Sequence, residues 1–106
     1  MSRSTPFTDA LGLDVPIVQA PVGSATCPAL AAAVADAGAL GTLAVTWRDE
    51  AATREAVAET RRRTDGVFGV NVVLDPDAKT VPTATHVAAC LDEGVDVFSL
   101  DRKSVV

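Results

Sequence analysis

Aromatic side chains are scarce at 4% of the 106 residues, and alanine and valine supply most of a 48% hydrophobic content. Small apolar side chains suit helices packed closely on a sheet. Cysteine is nearly absent too: Cys27 and Cys90 lie far apart, with no C-x-x-C pair and a single histidine in the chain. A zinc site and a disulfide framework are therefore excluded as readings, and both thiols are expected to be reduced and partly buried. No apolar run approaches the roughly 20 residues of a membrane span, and the opening MSRSTPFTDALGL has no hydrophobic signal segment. The expected location is the cytoplasm, with no membrane partner. Positive charge is in deficit, the formal net charge being -5. The one dense basic stretch, Arg61 to Arg63, falls near the end of a predicted helix, where it favours the macrodipole, so no nucleic-acid partner is expected. A chain of this length makes one small domain and not two.

A dinucleotide fingerprint is also missing. The turn APVGSAT does not read G-x-G-x-x-G, and the glycines of GALG, Gly38 and Gly41, close a helix and open a strand. That is the wrong side of a helix for a pyrophosphate.

What is present is regular alternation. PIVQA, bounded by Pro16 and Pro21, reads as a buried parallel strand. A helix is predicted from Thr26 or Cys27, with Pro28 in its first turn, a buried stripe of Leu30, Ala33, Val34 and Ala37, and Gly38 as a left-handed terminator. LGTLAV is the second strand. RDEAATREAVAETRRRT is a polar helix in which Glu50 with Arg54 and Glu59 with Arg63 are spaced for exposed pairing. GVFGVNVVL is the third strand, and DPDAK carries an Asp-Pro turn signal. A helix from about Val81 to Glu93 follows, with Ala84, Val87, Ala88 and Leu91 on one stripe and Gly94 to end it. VDVFSL is the fourth strand. The order β-α-β-α-β-α-β demands right-handed parallel crossovers. It fits an open doubly wound sheet or part of a (β/α) barrel, and periodicity does not choose.

Among candidate residues, Asn71 is conspicuous, because asparagine is depleted in strands and this one sits inside an apolar run. Trp47 and Ser99, at or near strand ends, are positioned to line a pocket. His86, beside the predicted apolar stripe of the last helix, reads as a solvated surface residue.

PIVQAPVG, AGALGTL and FGVNVVL resemble, in order and spacing, the amino-terminal part of the nitronate monooxygenase family, formerly called 2-nitropropane dioxygenases. The resemblance runs from about Leu11 to Leu100. It implies an α/β fold, about four βα units from the amino-terminal part of an FMN-dependent (β/α)8 TIM barrel related to flavin-dependent enoyl-acyl carrier protein reductases. It implies that Ala20, Pro21, Val22 and Gly23 lie beside the flavin ring, with Val22 where the family commonly has methionine. Asn71 matches the family asparagine that hydrogen-bonds the FMN. The implied reaction passes electrons from a small nitronate to dioxygen without a metal. The family's catalytic histidine lies beyond this chain, and His86 does not match it. Two other readings stand beside this one: an enoyl-acyl carrier protein reductase-like enzyme, and a non-catalytic half-barrel that self-associates over its open edges.

Residues 1–100 are accordingly expected to be the barrel portion. The ending DRKSVV, residues 101–106, is what the sequencing adapter GATCGGAAGAGCGTCGTG encodes in frame, and is expected to be a non-native tail on a truncated chain. Such a chain by itself is expected to be inactive.

Overall fold

Three of the four expected strands form one parallel sheet: β1 (Gly41–Ala44), β2 (Phe68–Val73) and β3 (Val97–Asp101), in that spatial order. Helices α3 (Glu50–Arg63) and α4 (Thr83–Asp92) carry the chain across between them, as parallel neighbours require. Helix α2 (Pro28–Asp36) leads into β1, and a short helix, α1 (Pro6–Leu11), opens the fold. The structure is a computed structural model that describes residues 4–22, 26–74, 81–95 and 97–101. β3 includes Asp101, one residue past the boundary set from the sequence.

The expected first strand is reduced to a single bridge, Val18 to Leu40. Pro16 and Pro21 have no N–H to give to a ladder. The N–H of Ile17 is spent locally on the Val15 carbonyl at 2.9 Å. Ile17 and Val18 are exposed, contrary to the buried strand read from PIVQA.

Strand alternation sorts the sheet into two faces. Leu43, Phe68, Val70 and Val72 point to the helices, where they pack with Ala31, Ala56, Val57, Cys90 and Val95. The alternate positions, among them Thr42, Ala44, Gly69 and Asn71, belong to the other face. The register sets Ala44 beside Asn71, and Asn71 beside Ser99.

The helices sit at their predicted places, but two are rotated from the predicted phase. In α2 the sheet is met by Ala31, Ala32 and Ala35, while Leu30 is exposed. The face of smallest side chains is the buried one because β1 approaches very closely: a Cβ on Gly41 would lie 2.1 Å from the Ala31 carbonyl oxygen. In α4 the buried residues are His86, Ala89 and Cys90, and Leu91 is exposed. Helix α3 buries Thr53, Ala56, Val57 and Thr60 at i, i+3, i+4, i+7. Gly38 and Gly94 adopt φ of 91° and 89°, the left-handed helix endings expected of them.

Of the two predicted pairs on α3, Glu59 and Arg63 meet at 3.0 Å. Arg54 instead bridges to Asp92 at 3.0 Å and Glu93 at 3.7 Å, tying α3 to α4. Helix α1 was not anticipated. Thr5 and Thr8 cap each other's backbone N–H at its start, with Pro6 in the first turn.

Candidate functional site

In parallel βα folds of this kind, chemistry collects at the carboxyl ends of the strands. Two elements converge there, the turn after Gln19 and the inner face of β2.

Gln19 fastens the turn to β1. Its backbone N–H donates to the Leu40 carbonyl at 3.0 Å, and its side-chain Oε1 accepts from the Thr42 N–H at 3.0 Å. Thr42 Oγ1 donates to the Gln19 carbonyl at 2.5 Å, and Gln19 Nε2 donates to the Ala20 carbonyl at 2.6 Å. On the far side, the Val22 N–H donates at 2.6 Å to Oγ1 of Thr26, which is buried. Pro21 has no N–H, so the Ala20 carbonyl and the Val22 N–H are both engaged within the fold. What residues 20–22 present outward is apolar surface, with Val22 61% exposed. Gly23 lies outside the described residues.

Asn71 stands on the opposite side of β1 from that turn. Gln19 runs beside Thr42, and Ala44, two residues further along β1, is in register with Asn71. Residues 20–22 therefore advance toward the same end of the sheet, about two strand spacings, ~10 Å, from Asn71. Asn71 is 3% exposed, and its backbone carbonyl accepts the Val45 N–H at 3.3 Å. A neutral amide both donates and accepts without setting a charge against an anionic ligand. Ser99, exposed, is its neighbour on β3.

The loop after β1 borders this end. Thr46 Oγ1 accepts the Val73 N–H at 2.9 Å, joining loop to β2. The Asp49 carboxylate caps α3 by accepting the Ala52 N–H at 2.8 Å. Between them Trp47 is 41% exposed, with the Arg48 guanidinium 5.6 Å from its ring centroid. Arg48 Nε donates to the Ala44 carbonyl at 3.3 Å.

His86 is not the solvated residue read from the sequence. It is fully buried, and its Nε2 lies 2.8 Å from the Arg48 carbonyl, to which it donates. The error has one cause: counting histidine as polar placed α4 in the opposite phase, with Leu91 inward. The cysteines also differ from expectation, Cys27 being exposed and Cys90 buried. Burial pushes the Cys90 thiol up to about 11, so it is an inert core group.

A cavity of about 210 Å³ opens at the other end of the fold, lined by Gly12, Asp14, Asp36, Gly38, Asp65 and Gly66 among others. Among the described residues no group of three His, Cys, Asp or Glu side chains is placed to hold a metal ion. No helix of the described residues is long and apolar enough to cross a membrane.

Sequence reasoning passed over Gln19, Thr26 and Thr46, whose side chains hold the turn and the loop in place. A signal existed for Gln19, a polar residue inside the apolar run PIVQA, the same oddity that marked Asn71. Threonines in βα loops carry no such contrast.

A family model described as nitronate monooxygenase matches residues 4–99. The nitronate monooxygenase of Paraburkholderia phytofirmans is 48% identical over 62 residues, which cover 58% of this chain and 17% of that protein. Among solved structures, FabK from Thermotoga maritima superposes with a TM-score of 0.83 at 35% identity, covering 93% of this chain and 30% of that one. A nitroalkane oxidase from Streptomyces ansochromogenes superposes with a TM-score of 0.75 at 30% identity, covering 91% and 35%. The chain thus spans under a fifth of that curated relative and about a third of each solved chain. With its parallel βα order, this makes the fold part of a (β/α)8 barrel and sets the open doubly wound sheet aside.

Proposed function

The chain belongs to the nitronate monooxygenase family, and from that premise we propose that it forms the flavin-facing amino-terminal portion of an FMN-dependent oxidoreductase acting on alkyl nitronates and dioxygen. The observation that carries the proposal is the convergence of the apolar turn 20–22 and the buried Asn71 amide on one end of the sheet. The donor set suits the group. A flavin ring needs apolar contact along its face and several polar partners along its edge, and the turn offers the first while the amide offers one of the second. Ala20, Pro21, Val22 and Gly23 are assigned to the ring and Asn71 to its polar edge. FMN, when bound, supplies the electron transfer between nitronate and dioxygen, and no metal is involved. The residues of this chain bind and orient the ring and keep water from its face.

The phosphate is proposed to find its donors elsewhere, since Pro21 has no N–H and the Val22 N–H is engaged by Thr26. In such barrels the loops after strands seven and eight usually provide them. By itself the 106-residue chain is therefore proposed to be inactive and to self-associate along its open sheet edge. Residues 101–106 are proposed to lie outside the functional unit, with the Asp101 backbone extending β3 beside Val73. The location is proposed to be the cytoplasm, with no nucleic-acid or membrane partner.

A second reading, an enoyl-acyl carrier protein reductase-like enzyme, draws support from the TM-score of 0.83 against FabK. One experiment separates them. A complete barrel in which residues 1–100 are joined to the remaining strands of a family member is assayed for dioxygen consumption with an alkyl nitronate, and for nicotinamide oxidation with an enoyl thioester. Nitronate-dependent dioxygen uptake is expected. Nicotinamide oxidation alone would transfer the assignment to the reductase.

A further inference from the structure

We infer that Gln19 is a positioning residue, whose side-chain amide ends the pairing of the first segment with β1 and aims residues 20–22 at the ligand end of the sheet. The pairing begins as an ordinary parallel ladder around Leu40. Its N–H donates to the Ile17 carbonyl at 2.9 Å, and its carbonyl accepts the Gln19 N–H at 3.0 Å. Parallel geometry makes Thr42 the next residue to pair, giving its N–H to the Gln19 carbonyl and receiving the N–H of residue 21. Residue 21 is proline and has no N–H to give. Gln19 and Thr42 exchange partners through their side chains instead. The Thr42 N–H donates to Gln19 Oε1 at 3.0 Å, and Thr42 Oγ1 donates to the Gln19 carbonyl at 2.5 Å. Both ladder groups are satisfied, while the ladder itself stops at the single bridge of Val18 and Leu40.

The amide acts in two directions at once. The Thr42 N–H can only donate and the Ala20 carbonyl can only accept, so Oε1 faces the first and Nε2 the second, the latter at 2.6 Å. Tying Thr42 needs an acceptor alone, and the backbone carbonyl of residue 19 could serve. A leucine would then suit the apolar run PIVQA better. What the amide adds is a donor to the Ala20 carbonyl, and that bond fixes the plane of the Ala20–Pro21 peptide. The proline ring sets its own φ, so only the Pro21 ψ remains between that plane and the Val22 N–H. The Val22 N–H meets Oγ1 of the buried Thr26 at 2.6 Å. Thr26 anchors the far end of the turn, and Gln19 sets the direction in which the turn leaves β1. Val22, 61% exposed, is thereby held out as a preset apolar surface.

The inference rests on the proposed function for which ligand the turn meets, but its test contains no flavin. Amide hydrogen exchange is measured residue by residue in the 106-residue chain, Gln19→Glu and Gln19→Leu, with the amides of β2 as the check on folding. Gln19→Glu keeps the volume and the acceptor for Thr42, but it replaces the donor with a carboxylate oxygen facing the Ala20 carbonyl. It is expected to leave the Thr42 amide protected and to make the Val22 amide exchange about tenfold faster. A role confined to packing or to holding Thr42 survives this substitution. A folded Gln19→Glu with the parent exchange rate at Val22 therefore overturns the inference. Faster exchange at Thr42 in a folded Gln19→Glu overturns it as well, because the amide would then hold the strand and not aim the turn. If Gln19→Glu does not fold, Gln19→Leu decides: faster exchange at Val22 with β2 protected supports the inference, and the parent rate overturns it. Loss of the fold in both variants also overturns it, because Gln19 would then serve the fold as a whole. Failure of the complete barrel to bind FMN in a separate titration refutes the flavin reading and leaves this result intact.

Discussion

Replacing Gly41 with alanine should be among the most damaging single-methyl additions to this fold. The new Cβ would lie 2.1 Å from the Ala31 carbonyl oxygen, 2.9 Å from its carbonyl carbon and 3.1 Å from its Cα. Ordinary heavy-atom contact is about 3.5 to 4 Å, so α2 must withdraw from β1 by more than about 1 Å. No side-chain rotamer relieves the clash, since every atom in it belongs to the helix backbone. A withdrawal of that size forfeits roughly a quarter to a half of the dispersion energy along the seam. That seam holds Ala31 and Leu43, both fully buried. Overpacking typically costs about 1 to 3 kcal/mol, and a backbone-limited case belongs at or above the upper figure. Against the roughly 5 to 15 kcal/mol of a small domain this is a large fraction. With a urea slope of about 1 to 3 kcal/mol/M, the midpoint should fall by roughly 1 to 3 M. Gly94→Ala supplies the contrast, because nothing lies within 4 Å of its new Cβ and only the φ of 89° is strained. That change should cost only about 1 kcal/mol. The reasoning is refuted if Gly41→Ala unfolds at the parent midpoint, or if it is the milder of the two.

Other consequences are separately testable. The Cys90 thiol is raised by burial to about 11, so its contribution to stability is complete below the unfolded thiol's pKa and is lost as pH rises through about 11. Urea midpoints measured from pH 8 to 11 should decline, and Cys90→Ala should flatten that decline. Iodoacetamide should label the exposed Cys27 in the native chain and reach the buried Cys90 only in denaturant; native labelling of Cys90 would contradict the burial. Thr46→Val removes the acceptor of the Val73 N–H and should cost about 1 to 3 kcal/mol by thermal or urea unfolding. The 106-residue chain alone should retain no FMN on gel filtration, and a stoichiometric yellow complex would refute the assignment of the phosphate to other parts of the barrel.

The parallel βα order was legible because strands and helices were punctuated by strong local signals: Pro28 at a helix start, Gly38 and Gly94 at helix ends, β-branched runs between. Helix phase was not. In α2 alanine occupies so many positions that hydrophobicity cannot choose a face, and the close approach of Gly41 to Ala31 makes the choice in three dimensions. In α4 the choice turned on a single buried histidine whose partner, Arg48, is 38 residues away. The first strand failed because Ile17 spends its N–H locally between two prolines. At the candidate site, Asn71 was visible as a polar residue in an apolar strand. Gln19, polar within the apolar run PIVQA, carried the same contrast, whereas Thr26 and Thr46, which hold the turn and the loop through backbone N–H groups, stand out from their neighbours in no such way.

The central claim, that Asn71 is the polar partner of the flavin, is tested most directly by FMN affinity. Flavin binding is titrated in the complete barrel carrying residues 1–100, with asparagine or alanine at position 71. If the amide is a buried partner of the ring, Asn71→Ala should weaken binding by about 1 to 3 kcal/mol, or roughly 5- to 150-fold, with the fold retained. An unchanged dissociation constant in a folded Asn71→Ala barrel would contradict the claim and leave Asn71 a structural residue of β2.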